Sequence, residues 1–343
     1  MSLVQTLAVA PFLERGGALL DVRSPAEFRQ GHIPGARNLP LFDDTERAAI
    51  GTLYRQQGRQ AAVLHGLTMV GPRLAELAEA LLAAAAACRG EPLRLHCWRG
   101  GMRSESVARL AASLALPVRL LEGGYKRYRR WVLERFEQPW PLRLLGGRTG
   151  CGKTELLLAL GARGVAVVDL EGLASHRGSS FGALGLPPQP SSEQFENRLA
   201  AALSEASAAA EIWLEAESAQ VGRCRIPGAL WRQMKSAPAL EVRRPLQQRL
   251  DQLMTTYGSQ EREALAEATR RIARRLGPQR TALALEAIAA GDGPAACRQM
   301  LDYYDRCYDH DLGAHACESV ELEALSADDA AQLLIQRRLV RRA

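Results

Sequence analysis

A cysteine lies among basic and glycine residues at positions 96–103, with the sequence His-Cys-Trp-Arg-Gly-Gly-Met-Arg. An apolar run precedes it and an alanine-rich segment follows it, so we expect a strand, a loop and a helix in that order. Loop amides and a helix N-terminus stabilise a thiolate, and Arg103 can hold an anion beside Cys97. Arg99 is a further candidate, and Gly100 permits the close turn. The sequence predicts a reactive Cys97 in an anion-binding cup; a buried structural cysteine is the alternative.

A second candidate site is the glycine-rich segment at 147–154, which satisfies the pattern GxxxxGK[ST]. An apolar run at 142–145 precedes it and an apolar helical pattern follows, which is the context that the motif requires. The backbone amides of such a loop bind a diphosphate, the lysine neutralises its charge, and the threonine hydroxyl binds Mg²⁺. The predicted diphosphate-binding residues are Gly147, Gly150, Gly152, Lys153 and Thr154.

Acidic residues end two further apolar runs, at Asp169 and at Glu215. Because the ends of parallel strands meet at one edge of a sheet, these carboxylates are expected near the phosphate-binding loop. We predict Thr154, Asp169 and Glu215 as Mg²⁺ ligands. Polar strand ends without a metal are the alternative.

A glycine- and serine-rich segment at 172–182 follows Asp169 and carries one histidine and one arginine. A loop of this composition beside a phosphate cradle is typical of a substrate contact. Its candidate residues are Asp169, His176, Arg177 and Ser179.

The positive charge of the chain is concentrated in one region. The net charge is +6 and the isoelectric point about 9.1, and residues 223–280 contain 13 Arg or Lys against 5 Asp or Glu. Within them, Arg270, Arg271, Arg274 and Arg275 repeat at helical spacing. This pattern predicts contact with a nucleic-acid backbone; a solvated basic face is the alternative.

The length of 343 residues favours two domains, which we place at 1–138 and 139–343 with a proline-rich linker at 138–141. The first residues lack the basic start and apolar core of a signal peptide, and no apolar run is long enough to span a membrane. Seven scattered cysteines without a CxxC pair indicate a reducing cytoplasm. Three aromatic residues at 125, 128 and 131 are interpreted as a core stripe rather than a base-stacking surface.

The N-terminal domain resembles the rhodanese family. The resemblance is carried by Leu-Asp-Val-Arg-Ser-Pro-Ala-Glu-Phe at 20–28, Gly-His-Ile-Pro-Gly-Ala at 31–36 and Asn-Leu-Pro at 38–40. It implies an α/β fold with a central parallel sheet and a Cys97 that carries sulfur or a heavier chalcogen. The loop from Cys97 to Arg103 is expected to be longer than in common rhodaneses, and its HCx5R spacing is also the signature of cysteine-dependent phosphatases.

Together with the segments at 122–126 and 169–182, the two motifs resemble bacterial tRNA 2-selenouridine synthases over nearly the whole chain. The implied fold class is α/β: a rhodanese-like parallel-sheet domain, then a P-loop NTPase-like α/β domain with a helical extension. The implied activity replaces sulfur by selenium in the wobble 2-thiouridine of tRNA, using selenophosphate and an S-geranyl group from geranyl diphosphate.

The resemblance also implies partners: the tRNA anticodon loop and a protein that supplies selenophosphate, with no membrane. The hypothesis assigns the phosphate-binding loop to geranyl diphosphate and Cys97 to selenation. Three rivals stay open: a sulfurtransferase coupled to ATP, a cysteine-dependent phosphatase or P-loop kinase, and a tRNA-binding module without catalysis.

Overall fold

The computed structural model describes residues 3–312 and 317–342. The chain splits into two compact units, Met1–Arg135 and Phe136–Ala343. Each contains a parallel sheet flanked by helices, so the predicted α/β class is confirmed. Among the described residues, no helix combines the length and the apolar character needed to cross a bilayer.

The sheet of the first unit has the strand order β1-β5-β4-β2-β3, and its paired strands are parallel. In this register Asp21 of β2 lies opposite His96 of β4, directly before Cys97. The strands are β1 (Val4–Leu7), β2 (Leu19–Asp21), β3 (Arg37–Asn38), β4 (Leu93–His96) and β5 (Val118–Leu121).

Helices connect these strands, as the right-handed crossovers of a parallel sheet require. The helices are α1 (Val9–Glu14), α2 (Pro25–Gln30), α3 (Asp44–Val70), α4 (Leu74–Ala86), α5 (Met102–Ser113) and α6 (Gly124–Glu137). A capping box of Ser24 and Glu27 starts α2, with Pro25 in its first turn. Gly58 falls inside α3, where its φ of 84° interrupts the helical conformation.

A buried ion pair stands at the end of β2. The Arg23 guanidinium donates to both Asp21 oxygens, donates to Gly31 O at 2.7 Å, and lies 3.7 Å from the ring centre of Tyr125. Tyr125 and Tyr128 of α6 are both buried, which confirms the core interpretation of the aromatic stripe. The pair therefore joins the edge of the sheet to α6.

The sheet of the second unit has the order β12-β11-β6-β8-β7, again with parallel pairs. Its strands are β6 (Leu142–Gly146), β7 (Val167–Val168), β8 (Ile212–Glu215), β11 (Ala239–Arg243) and β12 (Cys317–Glu321). A small antiparallel hairpin joins β9 (Gln220–Val221) to β10 (Cys224–Arg225). Strand β12 was not predicted, because the charged sequence Cys-Glu-Ser-Val-Glu lacks an apolar run.

The helices of the second unit form two groups. Those beside the sheet are α7 (Lys153–Gly161), α8 (Leu170–Ala174), α9 (Ser192–Glu205), α10 (Gly228–Ser236) and α15 (Ala327–Gln336). A helical layer with its own apolar core comprises α11 (Leu246–Tyr257), α12 (Arg262–Leu276), α13 (Pro278–Ala290) and α14 (Gly293–Leu312). This layer is the predicted helical extension.

We expect Asp21→Asn to lower the free energy of unfolding of the first unit by about 3–5 kcal/mol, because it leaves the Arg23 charge buried without a counter-ion. The same change at Asp44, whose pair with Arg29 is exposed, serves as the matched control and should have little effect. The free energy of unfolding of each variant is measured by urea unfolding, with hydrogen exchange in peptides that contain β2 and β4 as the readout. Equal losses in the two variants would contradict the prediction.

Candidate functional site

Cys97 directly follows β4, and the next helix, α5, begins at Met102 with Gly101 as its N-cap. Only residues 98–101 separate the cysteine from the helix. Arg103 already lies in the first turn of α5. The comparison of this loop with those of common rhodaneses stays a prediction.

The Cys97 side chain is 3% exposed and lies at the bottom of this loop. Ser104 Oγ, in the first turn of α5, donates a hydrogen bond to Cys97 Sγ at 3.2 Å. Within the described residues, the backbone N–H groups from 98 to 104 have no protein acceptor. Such groups before and within the first turn of a helix attract an anion. The environment fits a thiolate or a small bound anion.

A glycine turn at the start of α6 supports the cysteine loop from behind. Tyr125 N donates to Cys97 O and Lys126 N donates to Trp98 O, both at 2.8 Å. Gly124 has φ of 60°, and a Cβ atom there would overlap Gly100 N and lie 2.5 Å from Cys97 O. The sequence showed this segment only as a turn; the structure makes it the wall against which the cysteine loop is built.

The two arginines predicted around Cys97 are placed differently. Arg103 Nη1 lies 2.6 Å from Glu27 Oε2, so its guanidinium is already paired. Burial opposes ionisation of Glu27, but the hydrogen bond and charge of Arg103 outweigh it and hold the Glu27 pKa below its usual value. Arg99 is exposed at the rim. An anion at Cys97 would therefore compete with Glu27 for Arg103.

His96 is fully buried beneath Cys97, with Nε2 3.8 Å from Asp21 Oδ2. Burial lowers the pKa of His96 to about 4, although the Asp21 charge acts in the opposite direction. The imidazole is consequently neutral at neutral pH. Negative charge at Cys97 must be stabilised by the backbone N–H groups rather than by an imidazolium.

The phosphate-binding motif forms the loop between β6 and α7. Lys153 Nζ donates to Gly147 O at 2.8 Å, and Gly152, with φ of 73°, is the N-cap of α7. Gly150 has φ of 84°, and a Cβ atom there would lie 2.6 Å from Arg249 O. The loop thus has the curled backbone of a phosphate cradle at a helix N-terminus.

The carboxylate that meets Thr154 is Glu171, which the sequence reasoning missed. Thr154 Oγ1 donates to Glu171 Oε2 at 2.8 Å. Glu171 lies two residues beyond Asp169, and this short acidic alternation was the available signal. Asp169 itself accepts from Gly172 N at 2.7 Å and caps α8.

Glu215 is placed behind these groups, buried and accepting from Leu170 N at 2.9 Å. Burial, together with the charge of Asp169, raises its pKa well above the ordinary value. Burial and the charge of Glu171 likewise raise the pKa of Glu217, which lines the cavity described below. Within the described residues, no group of three His, Cys, Asp or Glu side chains is arranged to hold a metal ion.

The phosphate-binding loop lines a cavity of about 910 Å³, together with Glu171 and Glu217. Asp169, Arg177 and Ser179 of the predicted substrate loop line it, whereas His176 does not. The Arg177 guanidinium lies 5.7 Å from the ring centre of Tyr257. Burial and the Arg271 charge lower the pKa of His176. Beyond the loop, the cavity wall is largely apolar and includes Phe181, Leu253, Met254, Leu265, Ile288, Met300, Leu301 and Tyr304.

Ion pairs fix the helical layer against the phosphate-binding loop. Arg249 is buried, donates to Thr149 O at 2.8 Å and forms a bidentate pair with Asp305 of α14. Arg148 of the loop pairs with Asp309 of the same helix at 2.8 Å. Helix α14 is therefore a wall of the cavity, and Arg148 is not free for a phosphate.

The predicted basic stripe lies on α12, and its four arginines are exposed. Arg270 pairs with Glu263 at 2.7 Å, and Arg271 donates to Ser180 O at 2.9 Å. Among the described contacts, Arg274 and Arg275 have no ion pair. These two are the most available for a phosphate backbone.

Family models match the parts of the chain that contain the two candidate loops. Residues 140–334 match the model of the "tRNA 2-selenouridine synthase AAA domain", and residues 8–130 match the rhodanese-like domain. The chain belongs to the tRNA 2-selenouridine synthase family. Both candidate loops thus lie within matched domains of the family.

Relatives named tRNA 2-selenouridine synthase cover most of the chain. The protein of Cronobacter sakazakii is 43% identical over 75% of this chain and 68% of its own length. The protein of Marinobacter nauticus is 34% identical over 86% of this chain and 88% of its own length. The protein of Chromohalobacter salexigens is 34% identical over 96% of this chain and 95% of its own length. The similarity therefore extends through both units of this family member.

Gly124→Ala is expected to reduce any reaction at Cys97 by about a hundredfold, because the added methyl group displaces the loop. Gly101→Ala is the matched control, since a Cβ atom there has no neighbour within 4 Å. The rate of Cys97 alkylation, followed by peptide mass spectrometry, reports the change directly. Unaltered alkylation in Gly124→Ala would contradict this account of the glycine turn.

His96 makes the first unit sensitive to acid. Its pKa is about 4 when folded and about 6.5 when unfolded, so its stabilisation is complete above pH 6.5 and is lost as pH falls toward 4. Between pH 7.5 and 5.5 the wild type should lose about 1 kcal/mol more than His96→Gln. Urea unfolding at both pH values measures this difference, and equal losses would argue against a buried neutral imidazole.

Proposed function

We propose that this family member replaces the sulfur of wobble 2-thiouridine in tRNA by selenium from selenophosphate, by way of an S-geranyl intermediate. Family membership supports the tRNA 2-selenouridine product. The observation that carries the geranyl step is the cavity itself, in which a phosphate cradle opens onto a largely apolar wall. A nucleotide's ribose and base would need polar partners there, whereas a hydrocarbon group would not.

In the first step, the cradle binds geranyl diphosphate through the amides of its loop and Lys153. The thiocarbonyl sulfur forms a bond to C1 of the geranyl group, and the C1–O bond breaks with its electron pair going to diphosphate. The N3 proton of the base is released. Lys153 and the helix N-terminus stabilise the charge that develops on the leaving diphosphate.

The residues around Thr154 fit a Mg²⁺ ion, because two oxygen ligands already lie 2.8 Å apart on the cavity wall. Thr154 and Glu171, with Asp169, would hold the ion beside the diphosphate. Bound there, Mg²⁺ would supply further neutralisation of the leaving group. Glu215, with its raised pKa, is a poorer ligand than Glu171.

In the second step, S-alkylation has converted the sulfur into a leaving group. Selenium of selenophosphate forms a bond to C2, and geranyl thiolate leaves with the electron pair of the C2–S bond. Water then cleaves the Se–P bond and releases phosphate. Cys97 takes part in this step: the N–H groups of its loop hold the selenium donor as an anion, and Arg103 joins them once the anion has displaced Glu27 from it.

The basic stripe of α12 supports a tRNA substrate. Arg274 and Arg275 are exposed and would contact backbone phosphates, as Arg270 and Arg271 would after exchange of their present partners. Such contacts weaken with increasing salt.

Single substitutions should separate the two steps. Lys153→Ala is expected to lower geranylation by about a hundredfold or more while still converting S-geranylated tRNA to the selenium product. Cys97→Ala should geranylate normally and lose selenation. Mass analysis of tRNA nucleosides after incubation with geranyl diphosphate and selenophosphate measures both products.

Lys235→Ala and Cys88→Ala are matched controls outside the two loops and should retain both products. The proposed division fails if Cys97→Ala abolishes geranylation in a folded protein. ATP turnover with persulfide transfer to thiols, and no geranyl product, would instead identify an ATP-coupled sulfurtransferase.

A further inference from the structure

We infer that the hydrocarbon tail of the diphosphate substrate lies along α14, and that Met254 closes the far end of the cavity and limits tail length. The inference rests on the proposed function for its substrate class. It adds the location of the tail and the residues that select its length.

The polar end of the cavity is fixed by the phosphate cradle. Lys153 Nζ lies 5.6 Å from the ring centre of Tyr308, which is on α14. The ion pairs of Arg148 and Arg249 hold the same part of α14 against the loop. A diphosphate in the cradle is therefore placed at the C-terminal part of this helix, and its organic group must extend along the rest.

One face of α14 forms a continuous wall of the cavity. Its lining residues recur at helical spacing, at Gly293, Ala296, Met300, Tyr304 and Tyr308. From the first to the last of these positions the helix rises roughly 22 Å. The wall is thus long enough to accompany a diphosphate and an extended hydrocarbon tail. Each methylene buried there would strengthen binding about fourfold.

The far end of the cavity lies at the start of α14, where Gly293 and Met254 line it. A Cβ atom on Gly293 would lie 2.6 Å from Met254 Sδ, so the Met254 side chain packs directly over this glycine. Arg262 closes the adjoining corner, since a Cβ atom on Gly291 would lie 2.7 Å from its Nη2 and Nη1 donates to Ala289 O. Ile288 lines the same end.

This arrangement acts as a length limit. A tail that reaches Met254 meets a side chain that packs on the first turn of α14, beside Arg262. Ala296, nearer the middle of the wall, lines the cavity, so a larger side chain there would take up part of the cavity volume. Shortening Met254 should therefore lengthen the accepted tail, and enlarging Ala296 should shorten it.

The test compares dimethylallyl, geranyl and farnesyl diphosphates as donors to tRNA, with nucleoside mass analysis giving kcat/KM for each. Met254→Ala should raise the farnesyl-to-geranyl ratio at least about tenfold. Ala296→Phe should lower the geranyl-to-dimethylallyl ratio by a similar factor. Ratios are used because a partial loss of folded enzyme cancels from them.

Two controls carry the same changes outside the cavity. Met234→Ala removes a buried methionine of α10, and Ala282→Phe enlarges an exposed alanine of α13. Both should keep the wild-type ratios within about twofold. Inhibition by inorganic diphosphate should be unchanged in all four variants, because the cradle is untouched.

The outcomes separate the two proposals. Wild-type geranylation with unchanged ratios in Met254→Ala and Ala296→Phe would overturn the tail location and leave the proposed function standing. Absence of prenyl transfer by the wild type, with diphosphate still bound, would overturn the geranyl step itself. Changed ratios in the controls as well would also refute the length limit.

Discussion

Both candidate sites depend on one constraint, the meeting of a parallel strand's carboxyl end with the N-terminus of the next helix. In the first unit β4 delivers Cys97 to the start of α5, and in the second β6 delivers the phosphate-binding loop to α7. Backbone N–H groups that have no partner in the helix lie close together at such a junction, and this requires no charged side chain. The close backbone approaches at Gly124 and Gly150 keep each loop curled in this position. The anion binding that we propose for both loops therefore rests first on the backbone and only then on side chains.

The arginines around the sites are largely committed to carboxylates. Arg103 is held by Glu27, Arg148 by Asp309 and Arg249 by Asp305. These pairs position loops and helices, so they stabilise the geometry more than they offer free charge to a ligand. The surplus of positive charge in the sequence consequently overstates the charge at the two loops. Lys153, whose only hydrogen bond in the described structure is to a backbone carbonyl, contributes its charge more directly.

Sequence reasoning succeeded where the determining contacts are local. The phosphate-binding pattern and the buried face of α6 are set by residues a few positions apart. It failed where contacts between segments far apart in the chain determine the structure. The Glu171 partner of Thr154, strand β12 and the α14 wall all depend on tertiary neighbours. The HCx5R spacing did not show that Arg103 lies within α5, because spacing alone does not show where a helix begins.

The pairing of Arg148 with Asp309 joins residues 161 positions apart. Strand β12, still later in the chain, completes the edge of the sheet beside β11. During synthesis the phosphate-binding loop is therefore made long before the helix that encloses the cavity beside it. Because domains fold as their segments emerge from the ribosome, nascent chains that end before α14 would expose an apolar surface. Completion of this cavity is thus tied to synthesis of the chain through α14, and shorter nascent chains would hold the phosphate-binding loop without the wall beside it.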